Sequence, residues 1–164
     1  VDDGKLKKAI EGQYLAGLTM LRQCVERCPV EVWLAGTEHR PFWRIAYHAV
    51  FYAHLYLGQG LASFESWEKH RNCKNLWPEE DSDPEPYTQA EILEYIDLVE
   101  AKLGETIAGL DLETEDPGFD WYKGMAKLDH ELMSFRHLQG HVGQLSELLM
   151  AHGIDTDWMG RRPR

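Results

Sequence analysis

Four stretches of this chain place apolar residues at three- and four-residue steps, and none alternates convincingly as a strand, so the fold is restricted to packed helices. Leu6, Ala9, Ile10, Tyr14, Leu18, Leu21 and Val25 predict a first helix that starts near Lys5 and ends before Pro29. Pro41 suits a first helical turn, and the aromatic-rich run from Phe42 to Leu57 meets no breaker until Gly58 and Gly60, which defines a second. Thr88-Gln89-Ala90-Glu91 reads as a capping box, and Ile92, Tyr95, Ile96, Val99, Leu103, Ile107 and Leu110 continue it as a third. From about Met125, the stripe Leu128, Leu132, Phe135, Leu138, Val142, Leu145 and Leu149 predicts a fourth, closed by Gly153 in a left-handed cap with Ile154 behind it. Each stripe must be buried against another, so the expected architecture is all-α, a four-helix bundle in a single domain over residues 1–164.

The connections refine this expectation. The stretch from about Leu61 to Tyr87 is too long for a tight hairpin, which predicts a return along the bundle and lets the second and third helices run parallel. A formal net charge of −11 disfavours a nucleic-acid-binding surface, because the field outside the protein repels polyanions. Three cysteines give no disulfide framework, no apolar run reaches the ~18 to 20 residues that cross a bilayer, and Val1-Asp2-Asp3-Gly4-Lys5 is no signal peptide. A cytoplasmic protein without membrane contact is the expectation. The acidic runs near residues 79–85 and 111–116 read as solvated loops.

Eight histidines carry the chemistry. His137 and His141 stand one turn apart, about 6 Å along a helix axis, and the placement of His141 between Leu138 and Leu145 turns its ring toward the bundle interior. His48 occupies an equivalent place among Ile45, Tyr52 and Leu55. An apolar interior keeps imidazole neutral, and three neutral nitrogens from two helices make an open metal site. Arg44 and Tyr52, one turn either side of His48, and Gln144, one turn after His141, are candidate pocket-lining residues. His130, on the face of His137 but about 10 Å away along the axis, reads as a solvent-edge or pocket-lining residue. His54 points away from His48 as a surface or core residue, and His39, His70 and His152 fall at loops or helix ends with capping or solvated roles. Cys24 and Cys28 lack a second cysteine pair and read as buried thiols, while no Glu has a His three residues later, so a di-iron bundle is excluded. His130-Glu131 opens like a zincin motif, but Ser134 stands where the second His belongs.

The segment Arg136-His137-Leu138-Gln139-Gly140-His141-Val142-Gly143-Gln144-Leu145, taken with Pro41-Phe42-Trp43-Arg44-Ile45-Ala46-Tyr47-His48, resembles the DinB-like superfamily of metal-binding four-helix bundles over nearly the whole chain. The resemblance implies an up-down-down-up bundle and a divalent ion, such as nickel or zinc, held by His48, His137 and His141. Gly140 departs from relatives that carry another His there. Two chemistries are implied for a small-molecule substrate: hydrolysis, and transfer or isomerisation with a low-molecular-weight thiol. The leading expectation is therefore a metal-dependent enzyme, compatible with a homodimer. The alternative is a non-catalytic bundle, stapled by its ion and acting as a binding or interaction module.

Overall fold

The computed structural model describes residues 2–37, 40–77 and 85–162; His39 and most of the 79–85 acidic run fall outside them. The chain is mostly helical: α1 (Asp3–Arg27), the single turn α2 (Val30–Trp33), α3 (Phe42–Leu57), α4 (Gln89–Ala108) and α5 (Lys127–Met150). Two-residue strands β1 (Gly36–Thr37) and β2 (Arg40–Pro41) pair antiparallel between α2 and α3. The long helices α1 and α3 each pack against both α4 and α5, and the side chains of Leu18, Leu21, Ile45, Tyr47, Tyr95 and Leu138 are buried between them. No helix among the described residues is long and apolar enough to cross a membrane.

Local signals act where the stripes end. The Thr88 hydroxyl accepts from the Glu91 amide at 3.2 Å while the Glu91 carboxylate accepts from the Thr88 amide at 2.8 Å, so two amides that α4 leaves open are both satisfied. Gly153, at φ 73°, turns the chain after α5 so that Ile154 N–H reaches Leu149 O at 3.1 Å. Pro41 precedes α3 instead of opening its first turn, because its ψ of 157° keeps it extended and paired with Gly36. Gly36 itself has no room for a side chain, since a Cβ there would stand 2.4 Å from Arg40 O. Neither α2 nor the β1–β2 pair is long enough to carry a periodic signal, so apolar spacing predicts neither.

The start of α5 departs further from its stripe. Leu132 is 53% exposed, whereas Lys127, His130, Glu131 and Ser134 are 0 to 1% exposed. Lys127 and Glu131 tolerate burial because they pair: Lys127 Nζ lies 2.9 Å from Glu131 Oε1 and donates to Gly58 O, and the Tyr14 hydroxyl donates to Glu131 Oε2 at 3.0 Å. The inward face of this helix is polar for two turns before Leu138 takes over.

Described parts of two connections pack against the helices. The Leu61–Tyr87 stretch lays Trp67 flat on Tyr95 at 4.5 Å between centroids, and ties itself to α4 through Arg71 to Glu91 at 2.7 Å. His70 is not solvated as its loop position implied; its Nδ1 bonds the Tyr47 hydroxyl and its ring stacks on Phe51 at 5.1 Å. Residues 155–162 return along α1, where Arg27 donates to Asp155 O at 2.8 Å, the Asp157 amide to Gln23 Oε1 at 2.7 Å, and Arg162 to Thr19 Oγ1 at 2.8 Å.

Candidate metal centre

α3 contributes His48, and α5 contributes His137 and His141. His137 Nε2 lies 3.1 Å from His48 Nε2 and 3.2 Å from His141 Nε2, and one nitrogen from each ring falls within 4.8 Å of the others. Among the described residues this is the one group of three or more potential ligands close enough to share an ion. All three side chains are half-buried, with an edge left toward solvent.

The outer ring nitrogens fix which way the lone pairs point. His48 Nδ1–H donates to Lys74 O at 2.5 Å, and His141 Nδ1–H donates to Gln144 Oε1 at 3.0 Å, so both Nε2 atoms present lone pairs to the centre. Burial, with the neighbouring His141 ring second, pushes His48 down to about 3. Burial and then His141 push His137 down to about 4, and burial lowers His141 as well. Three neutral imidazoles therefore converge, and His137 has at most one Nε2 proton to share with two acceptors. A cation satisfies all three lone pairs together. The fit is good on two further counts: His137 Nδ1 is buried without a hydrogen-bond partner, and nitrogens about 2.0–2.1 Å from one ion lie roughly 3.0–3.4 Å apart, bracketing the observed separations. An all-imidazole donor set suits zinc, nickel, copper or iron rather than magnesium or calcium.

A ladder along α3 holds the site in place. Arg44, His48 and Tyr52 recur at four-residue steps on α3, Arg40 in β2 precedes them, and together they grip the passing segment 74–76. Arg40 Nε donates to Leu76 O at 3.4 Å, Arg44 Nε to Asn75 O at 2.9 Å, His48 to Lys74 O, and the Tyr52 hydroxyl to Asn75 Oδ1 at 2.7 Å. The Tyr52 ring lies 4.7 Å from that of His48 and 5.6 Å from that of His137, so it forms one wall of the cluster. Arg44 is buried against Asn75, and Gln144 orients His141.

The remaining sequence candidates stand elsewhere. His130 is not at a solvent edge: its ring is fully buried, 4.9 Å from Phe119, 5.0 Å from Tyr56 and 5.3 Å from Tyr122, with both nitrogens lacking a hydrogen-bond partner. His54 is a core residue bonded to the Tyr95 hydroxyl at 2.9 Å, and His152 is exposed. Cys24 and Cys28 are buried, and burial pushes the Cys28 thiol up to about 12, so it stays protonated and inert. Sequence reasoning missed Lys74 and Asn75, whose contributions are a backbone carbonyl and a loop amide with no periodic signature.

Two expectations follow from this geometry. Replacing Gln144 by Ala frees the His141 ring to turn, and a zinc titration with a competing chelator is expected to show affinity roughly 10- to 100-fold weaker, the range for lost outer partners of metal-bound histidine. The three rings and His54, the last pushed down to about 4 by burial, all hold their protons less tightly in the folded chain than the ordinary value near ~6.5. The unfolded chain then binds more protons between about pH 6.5 and 4, so stability is expected to fall as pH drops through that window. Urea midpoints at pH 7, 5.5 and 4.5 check this, and a flat profile would contradict the neutral assignment.

Comparison of this chain with protein families, with curated proteins and with solved structures finds no match.

Proposed function

We propose that this chain is a divalent-metal-binding protein of the DinB-like kind, and that its histidine cluster is the centre of a metal-dependent enzyme. The observation that carries the reading is the convergence of three neutral Nε2 atoms from two helices on one point, with no fourth protein ligand among the described residues. An up-down-down-up order accompanies it. Tyr14 meets Glu131 and Cys24 meets Ser146, which supports α1 and α5 running together; Lys7 meets Ala108 and Arg22 meets Asp97, which supports α4 running against α1. His48 against His137 and Tyr56 against His130 support α3 running against α5.

A bound zinc or nickel ion supplies a Lewis acid that lowers the pKa of a water or substrate thiol near neutral pH. The chain's own residues do the rest: Lys74 O and Gln144 hold two rings in the lone-pair-inward tautomer, and Tyr52 walls one side with its hydroxyl committed to Asn75. No Asp or Glu joins the ligand group among the described residues, which favours a ligand activated by the ion itself over one deprotonated by a neighbouring carboxylate. Hydrolysis, and transfer or isomerisation using a low-molecular-weight thiol, both meet that requirement, and a cytoplasmic setting supplies the thiol.

The test is protein purified without a histidine tag, loaded with one equivalent of zinc or nickel, and screened for hydrolytic and thiol-dependent turnover beside the metal-free form. One ion per chain and turnover only in the loaded form are expected. One ion with no turnover in either screen would leave the ion as a staple between α3 and α5, and no bound ion would remove the proposal altogether.

A further inference from the structure

The Arg40 end of the α3 ladder does something the histidines do not. Arg40 is half-buried, with its guanidinium 4.5 Å from the centre of the Trp77 ring and its Nε spent on Leu76 O. Trp77 is 67% exposed, so the stacked pair faces outward beside the segment that carries the His48 partner Lys74 O. Among the described residues no carboxylate pairs with Arg40, although this chain has 28 acidic residues against 17 basic ones and four other guanidinium groups each meet an acid: Arg22 with Asp97, Arg27 with Asp157, Arg71 with Glu91 and Arg162 with Glu100.

These features have a chemical consequence. A guanidinium with Nε engaged and held flat by an indole still offers its terminal N–H groups as a fixed fork, the geometry that takes a carboxylate through two parallel hydrogen bonds. Three neutral imidazoles also leave the charge of a divalent ion uncompensated, so the cluster and Arg40 favour negative charge together. Ladder and cluster share one wall, built from Lys74, Asn75 and Leu76.

We propose that Arg40, stacked on Trp77, is the specificity-determining anchor for a small carboxylate-bearing molecule whose other end reaches the His48–His137–His141 cluster. The proposal rests on the metal-centre reading and narrows its substrate class: a ligand with a carboxylate several bonds from the group presented to the ion. A neutral ester or amide of the same size lacks the group that Arg40 recognises.

Calorimetric titration of the full chain with succinate and with its neutral counterpart succinamide tests the assignment, using zinc-loaded and metal-free protein. Succinate is expected to bind the zinc-loaded chain at least ten-fold more tightly than succinamide. Arg40→Gln is expected to erase that preference while the chain still takes up one zinc ion. Arg40→Lys, which keeps the charge without the fork, is expected to weaken the preference severalfold; it also serves if the glutamine variant proves misfolded by circular dichroism. Equal binding of the two probes, or a preference that survives the folded Arg40 variants, overturns the proposal. If the chain takes up no zinc, the metal-centre reading fails on its own, and the metal-free titration still judges Arg40 by whether its variants lose discrimination between the probes.

Discussion

Changing His137 to Ala is expected to abolish stoichiometric zinc or nickel binding while leaving the fold intact. His137 is the shared neighbour in the cluster, since its Nε2 is within 3.2 Å of both other nitrogens. Losing an outer partner of a metal-bound histidine weakens binding by about 10- to 100-fold, so losing the ligand itself is expected to exceed about 100-fold. The apo protein has little to lose, because the substitution removes a half-buried ring whose Nδ1 is unpartnered and which faces two lone pairs. Metal content after dialysis and the thermal midpoint of the apo form are the measurements. Wild-type metal content in the variant would place the ion elsewhere, and a collapse of apo stability would make His137 a structural residue first.

The second large effect lies at the opposite side of the function question, in the buried pair at the start of α5. Lys127→Met alone is expected to destabilise the chain by about 3–5 kcal/mol, because it leaves the Glu131 carboxylate, 1% exposed, with the Tyr14 hydroxyl as its remaining close donor. For a domain of this length that corresponds to a drop of roughly 6–20 °C in the thermal midpoint. Adding Glu131→Leu is expected to restore most of the loss, since the charge requiring compensation is gone and the Tyr14 hydroxyl keeps Glu131's position through the backbone oxygen at 3.4 Å. A double variant as unstable as the sum of its singles would show that the two residues act independently.

That same pair marks where sequence reading stops. The long helices were legible because each stripe runs for several turns, and the Thr88 box and Gly153 cap mark ends through residue types tied to specific backbone needs. The first turns of α5 were not, because apolar periodicity assigns Lys127, Glu131 and Ser134 outward and Leu132 inward, whereas tertiary pairing reverses both. At the cluster, His137 and His141 were legible from their one-turn spacing, and Gln144 from the next turn. The support of His48 was not, since a main-chain carbonyl such as Lys74 O is offered by every residue type and only the path of the loop selects it. His130 was misplaced for a related reason: its cage of Phe119, Tyr56 and Tyr122 is assembled by a connection whose course carries no periodic pattern.

The C-terminal segment laid along α1 bears on how the protein is made. Arg27 and its partner Asp155 are 128 residues apart, and at about 5–20 residues per second a ribosome needs roughly 6–26 s to deliver the second after the first. Within that interval α4 becomes available to α1 first, then α5, and the returning segment last. The contacts that fasten the end of the chain to α1, Arg27 with Asp155 among them, can therefore close only late in translation.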